Sequence, residues 1–171
     1  MFNASTVFSD FVTGVNNVIS GLAEHKADSV VGGDAPHGFV YQAGTWTPVL
    51  SATTTPGTHT YSVQSGQYVR VGNLVYLTGN IALTNRDGAA SGTARIEGLP
   101  FTQKSAGTLG VFPVAIGNID LQDRTVSFLQ SEGGTTRLTF VRSGANTSLA
   151  SLPITQFSNT SIVRFTFMYE I

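Results

Sequence analysis

The stretch Tyr68-Val69-Arg70-Val71-Gly72-Asn73-Leu74-Val75-Tyr76-Leu77 decides the fold class. Two β-favouring runs flank a two-residue Gly-Asn break, and tight antiparallel connections need a positive φ, which glycine adopts at little steric cost. The segment predicts a hairpin turning at Gly72-Asn73. A second hairpin is expected from Thr125-Val126-Ser127-Phe128-Leu129 to Arg137-Leu138-Thr139-Phe140-Val141, joined through Ser131-Glu132-Gly133-Gly134. The alternation is clearest in the last stretch. There Val163, Phe165, Phe167, Tyr169 and Ile171 fall on one face, and Arg164, Thr166, Met168 and Glu170 on the other, as in a half-buried antiparallel strand.

Working outward, further strands are expected at Trp46–Ser51, Gly79–Thr84, Ala94–Leu99 and Gly110–Ile119, separated by turn-rich loops. The fold class is mainly β: an antiparallel β-sandwich or jelly-roll-like head of roughly eight strands over residues 45–171. Before it the period changes from 2 to 3.6. Phe8, Phe11, Val15, Val18 and Leu22 recur three and four residues apart, the a/d seam of a short coiled-coil helix, with His25 at the next d position. Such a helix, carrying Gly14 and Gly21, is marginal alone in water and needs partners along the seam. Val31-Gly32-Gly33-Asp34-Ala35-Pro36 then ends it and opens an irregular linker. The expected organisation is a trimerising or attachment helix at 1–30, a Gly-rich linker at 31–44 and the β head at 45–171.

Only 11% of residues are charged, against about 25% in ordinary domains, which favours assembly over life as a small monomer. Nine Lys+Arg against ten Asp+Glu give a net charge of −1, so no basic footprint for nucleic acid exists. Zero cysteines exclude disulfides, thiol nucleophiles and thiolate metal sites. No apolar run approaches the roughly 20 residues that span a bilayer, and Met1-Phe2-Asn3-Ala4-Ser5 lacks the basic start of a signal peptide. No membrane insertion is expected.

Catalytic constellations are absent. Glycosidic cleavage generally needs two acidic groups across a groove, and the nearest acidic neighbours in the head, Asp120 and Asp123, read as turn residues. No G-x-S-x-G elbow, phosphate loop or dinucleotide fingerprint occurs. His25, His37 and His59 lack metal-ligand spacing, so neither a metal nor any other cofactor is expected, and the chain reads as a non-enzyme. Asn3, Asn146 and Asn159 begin glycosylation sequons by chance in a Ser/Thr-rich chain. Trp46 and the tyrosines could stack on sugars, but a lone tryptophan at a strand start more often anchors a core or interface.

Gly44-Thr45-Trp46-Thr47-Pro48-Val49-Leu50, then Tyr61 through the Gly72-Asn73 hairpin, and Arg95-Ile96-Glu97-Gly98-Leu99-Pro100-Phe101 together resemble a β module of tailed-bacteriophage fibre-type virion proteins. The similarity covers mainly residues 44–101, and the connector from His25 to Gly38 is similar to those preceding such modules. The resemblance implies a virion location, a homotrimer, an N-terminal segment docking on other virion proteins, and a β head that contacts the host surface, with host glycan a possible partner. In such a trimer the seam Phe8, Phe11, Val15, Val18, Leu22 and His25 would surround the axis, where the three copies of His25 would set register or flank an axial ion. The turn-rich loops Asn85–Ser91 and Glu132–Gly134, with Asn85, Arg86, Asp87 and Glu132, are the candidate distal contacts. The alternative is a trimeric capsid decoration protein that stabilises the shell.

Overall fold

A computed structural model describes residues 12–18, 40–105 and 110–171. The chain forms two compact units, Met1–Gln42 and Ala43–Ile171. In the first, residues 12–18 are helical, within the expected helix, and Val15 and Val18 of the seam are exposed on it. Phe8, Phe11, Leu22 and His25 lie outside the described residues, as does most of the expected linker.

The second unit is the mainly antiparallel β structure that the alternation predicts. Its strands are β1 (Tyr41–Trp46), β2 (Val49–Ala52), β3 (Thr60–Val71), β4 (Leu74–Asn85), β5 (Ala94–Glu97), β6 (Val111–Ile119), β7 (Val126–Ser131), β8 (Arg137–Ser143), β9 (Ala150–Ser151) and β10 (Phe157–Glu170). They join in one curled sheet, ordered β1-β3-β4-β10-β6-β7-β8-β5-β2, with β9 on β8. β1 starts at Tyr41, inside the residues expected to be linker.

The expected strand at Trp46–Ser51 is two strands. Pro48 has no N–H to give a ladder, so the chain leaves β1 at Trp46 and resumes pairing at Val49, opposite Glu97. β1 and β2 thus occupy opposite margins of the path although two residues separate them, which is why the sheet must curl. The Gly72-Asn73 hairpin forms as expected, with Val71 opposite Leu74 and φ of +60° at Gly72. A positive φ at the first turn position alone is the type II′ pattern, whose twist matches that of the flanking strands. β7 and β8 form the second hairpin, with Leu129 opposite Phe140.

β10 lies between β4 and β6 in the interior of the path. Its Val163, Phe165, Phe167 and Tyr169 are buried while Arg164, Thr166, Met168 and Glu170 face out. The core gathers around these side chains: Phe167 meets Phe112 at a centroid distance of 4.6 Å, and Phe165 meets Trp46 edge-on at 6.2 Å. Such aromatic pairs add about 0.5–1.5 kcal/mol beyond burial of their area. β6 changes partners along its length. Val111–Pro113 pair with β7, whereas Val114–Ile119 pair with β10, so Pro113, lacking a donor, sits where the ladder passes from one half of the sheet to the other.

Candidate functional site

The two loops picked out by turn chemistry stand at opposite ends of the sheet. β4 runs from Leu74, paired with Glu170, to Asn85, paired with Thr60, about 35 Å of strand at ~3.3 Å per residue. The Glu132–Gly134 loop belongs to the Gly72 end: Gly134 N donates to Gln103 O at 3.0 Å, and the adjoining Lys104 N donates to Glu170 O at 2.8 Å. Ala43 and Gly44 also lie towards this end, since Gly44 packs on the Tyr68 ring. The Asn85 loop occupies the other end, beside the loops before β3, after β6 and before β10.

Asp87 organises that second end. Its carboxylate accepts from Thr58 N at 2.8 Å and Ala89 N at 2.9 Å, tying two loops together. These backbone donors hold the Asp87 carboxyl below its ordinary range. Arg86 donates from its backbone N to Asn159 Oδ1 at 2.9 Å, and from Nη1 to Asp87 O at 3.2 Å. Asn85 is exposed at the end of the ladder. His59 is buried, and its Nδ1 accepts from Asp87 N at 3.1 Å. Loss of hydration pushes the His59 pKa below its usual value, outweighing the Pro56 carbonyl and Asp87, which favour the cation.

A serine and asparagine knot closes the same end. Ser158 Oγ and the fully buried Ser161 Oγ donate to Asn118 O at 3.0 and 2.8 Å, and Asn118 Nδ2 returns a bond to Thr160 O at 3.0 Å. Asn118 holds φ of +56°, a region that asparagine tolerates better than most residues. The run Asn159-Thr160-Ser161, legible in the sequence only as a chance sequon, therefore builds this end of the head. Asp120 is a turn residue as expected: its Oδ1 accepts from Gln122 N at 2.7 Å. Asp123 is exposed and contacts its neighbour Arg124 at 3.4 Å.

Glu132 is already engaged on the sheet. Its Oε1 lies 3.0 Å from Arg95 Nε and also takes the Thr139 hydroxyl, while Oε2 lies 3.5 Å from Arg137 Nε. Both guanidinium nitrogens are shielded and unaligned for a hydrogen bond, so these are charge contacts without donor geometry. Trp46 is 7% exposed, lies against Gly66 and donates from Nε1 to Thr78 O at 2.9 Å, which makes it a core anchor. Among the described residues no three His, Cys, Asp or Glu gather as a metal site, and no helix is long and apolar enough to cross a membrane.

No protein-family model matches the chain, and no curated protein matches its sequence. Among solved structures it is similar to the crystal structure of the Dettilon tailspike protein, gp208, with a TM-score of 0.64 and 17% sequence identity. The match covers 76% of this chain and 24% of that one. The chain thus spans about a quarter of the tailspike's length, and the likeness is one of fold.

Proposed function

We propose that this chain is a non-enzymatic bacteriophage virion structural protein: a homotrimeric, fibre-type tail component whose N-terminal segment docks on other virion proteins and whose β head contacts the host surface. The observation that carries the reading is the shared fold with part of a phage tailspike, which agrees with the fibre-type resemblance of residues 44–101. The low charge content supports a protein built to assemble. In this reading the trimer forms on the helical seam, and the host-facing loops are those at the Asn85 end, the end of the head away from Ala43. Asn85 and Arg86 offer the polar groups there, whereas Asp87 holds the loop in shape. Glu132, at the Gly72 end and ion-paired, serves the head's own structure.

Immunogold labelling of intact particles together with native mass tests the proposal. Label at the tail and a mass near three chains are expected. Label distributed over the shell would replace this reading with that of a capsid decoration protein.

A further inference from the structure

Arg164 stands alone on its face of the sheet. The outward positions of β3, β4, β10 and the second part of β6 fall into cross-strand rows, and the two middle rows are polar: Ser65, Asn80, Arg164 and Ala115 in one, Gln67, Thr78 and Thr166 in the next. From the row of Val63 to that of Met168, Arg164 carries the one charge among these positions, and its guanidinium has no acid or hydrogen-bond acceptor among the described residues. Asn80, directly opposite, is also incompletely bonded. Its Oδ1 is shielded from water and accepts no hydrogen bond, an arrangement that destabilises a fold and that folded proteins retain at few places. The same rows are sunken. Ser65, Thr78, Ala115 and Thr166 are small, whereas the neighbouring row holds Tyr76 and Met168, 49% and 42% exposed. A depression of about 790 Å³ opens over Asn80, Arg164 and Thr166, and another of about 420 Å³ over Ser65, Gln67 and Thr78, with Gly79 and Asn80 common to both. Each lies in the range of small-ligand sites, ~300–1,000 Å³.

We propose that this trough binds a saccharide bearing one acid group, with Arg164 holding the acid and Asn80 the hydroxyls beside it. Three features select that chemistry. A guanidinium presents a planar fork of donors that matches the oxygens of a carboxylate or phosphate, and no acid on this face competes for it. The floor offers hydroxyl and amide groups on a grid of ~4.8 Å between strands and ~6.7 Å along them, which suits a ligand with hydroxyls at many positions rather than a simple aliphatic acid. The amide of Asn80 can both accept from and donate to such hydroxyls. The exposed Tyr76 ring beside Thr78 gives the C–H face of a sugar an apolar surface to rest on. The inference rests on the reading of the head as a host-contacting body and adds a contact on its flank, about 17 Å of strand away from Asn85.

Saturation-transfer NMR of the full-length protein tests the site. The probes are glucuronic acid and glucose 6-phosphate as the two kinds of acid sugar, glucose as the neutral sugar, and acetate and methyl phosphate as acids without a sugar ring. One of the acid sugars is expected to bind about tenfold more tightly than glucose and than either simple acid, and Arg164→Gln is expected to erase that preference. Asn80→Ala is expected to weaken binding of the same sugar without lowering the urea midpoint, because it removes an amide whose oxygen the fold leaves unpaired. No binding of either acid sugar, equal binding of acid and neutral sugars, simple acids that match the sugars, or a preference that survives Arg164→Gln each overturns the site. An Asn80→Ala variant that loses stability and keeps its affinity overturns the role of Asn80. Failure of sugar binding leaves the virion reading to particle labelling, whereas label over the shell with sugar binding intact would replace that reading and keep the site.

Discussion

Gly66 and Gly79 face each other across β3 and β4, and aromatic rings occupy the room that their side chains would need. A Cβ at Gly79 would run into the Phe165 ring, and one at Gly66 into the Trp46 indole. Overpacking of this sort costs about 1–3 kcal/mol, so Gly79→Ala should lower the unfolding free energy by about that amount, seen as a lower urea midpoint. Gly72 is a different case: nothing stands within 4 Å of its absent Cβ, and the cost of Gly72→Ala comes from φ of +60° alone, about 1–2 kcal/mol. His59 makes a pH prediction with a definite sign. Its native pKa is depressed, so below the ordinary value near 6.5 the unfolded chain takes up the proton first and stability falls as pH falls. Urea midpoints between pH 7.5 and 5 should drop for the wild type and drop less for His59→Gln; equal slopes would remove His59 from the account. Asp87 acts lower on the scale, its depressed carboxyl giving stability that is present above the usual carboxylate range and lost as pH falls through the native pKa.

At the scale of elements, β10 carries the aromatic row around which the core gathers. Phe167 is fully buried in its middle, and Phe167→Ala should cost about 3–5 kcal/mol, measured by chemical denaturation, whereas Thr166→Ala on the opposite face should stay within ~0.5 kcal/mol. The β7–β8 hairpin is held differently. Glu132→Gln removes the charge that Arg95 and Arg137 share, and with side chains 20–38% exposed the loss should be about 1 kcal/mol. What the sequence makes legible here follows how local the cause is. The Gly72 turn and the alternation of β10 are written in consecutive residues, and both form as expected. The split at Pro48 is not legible because β-favouring residues on both sides hide a single absent donor. That β1 and β2 go to opposite margins, or that Glu132 meets Arg95 from another strand, depends on pairings far apart in the chain, which no local pattern encodes. The same reason separates the two candidate loops: turn chemistry marks that a loop exists, while only the pairing order decides at which end of the sheet it lies.

For the whole molecule, the end of the head bearing Asn85 and Arg86 is knit by side-chain bonds among the loops before β3 and after β4 and the ends of β6 and β10, and is therefore rigid ground for recognition. Arg86→Glu should keep the native mass and β signal of the wild type and lose at least tenfold in its ability to compete with phage particles for adsorption to host cells. Unchanged competition would move the contact elsewhere on the head. The partner change of β6 at Pro113 has a further consequence. A strand whose two segments belong to opposite halves cannot release one half without loosening the other, so neither half can open as an independent unit. Amide hydrogens of β4 and of β8, though on different sides of the fold, should then exchange with deuterium through the same global event, with matching free energies of opening. The head would behave under heat or strain as a single latch that is either shut throughout or open throughout.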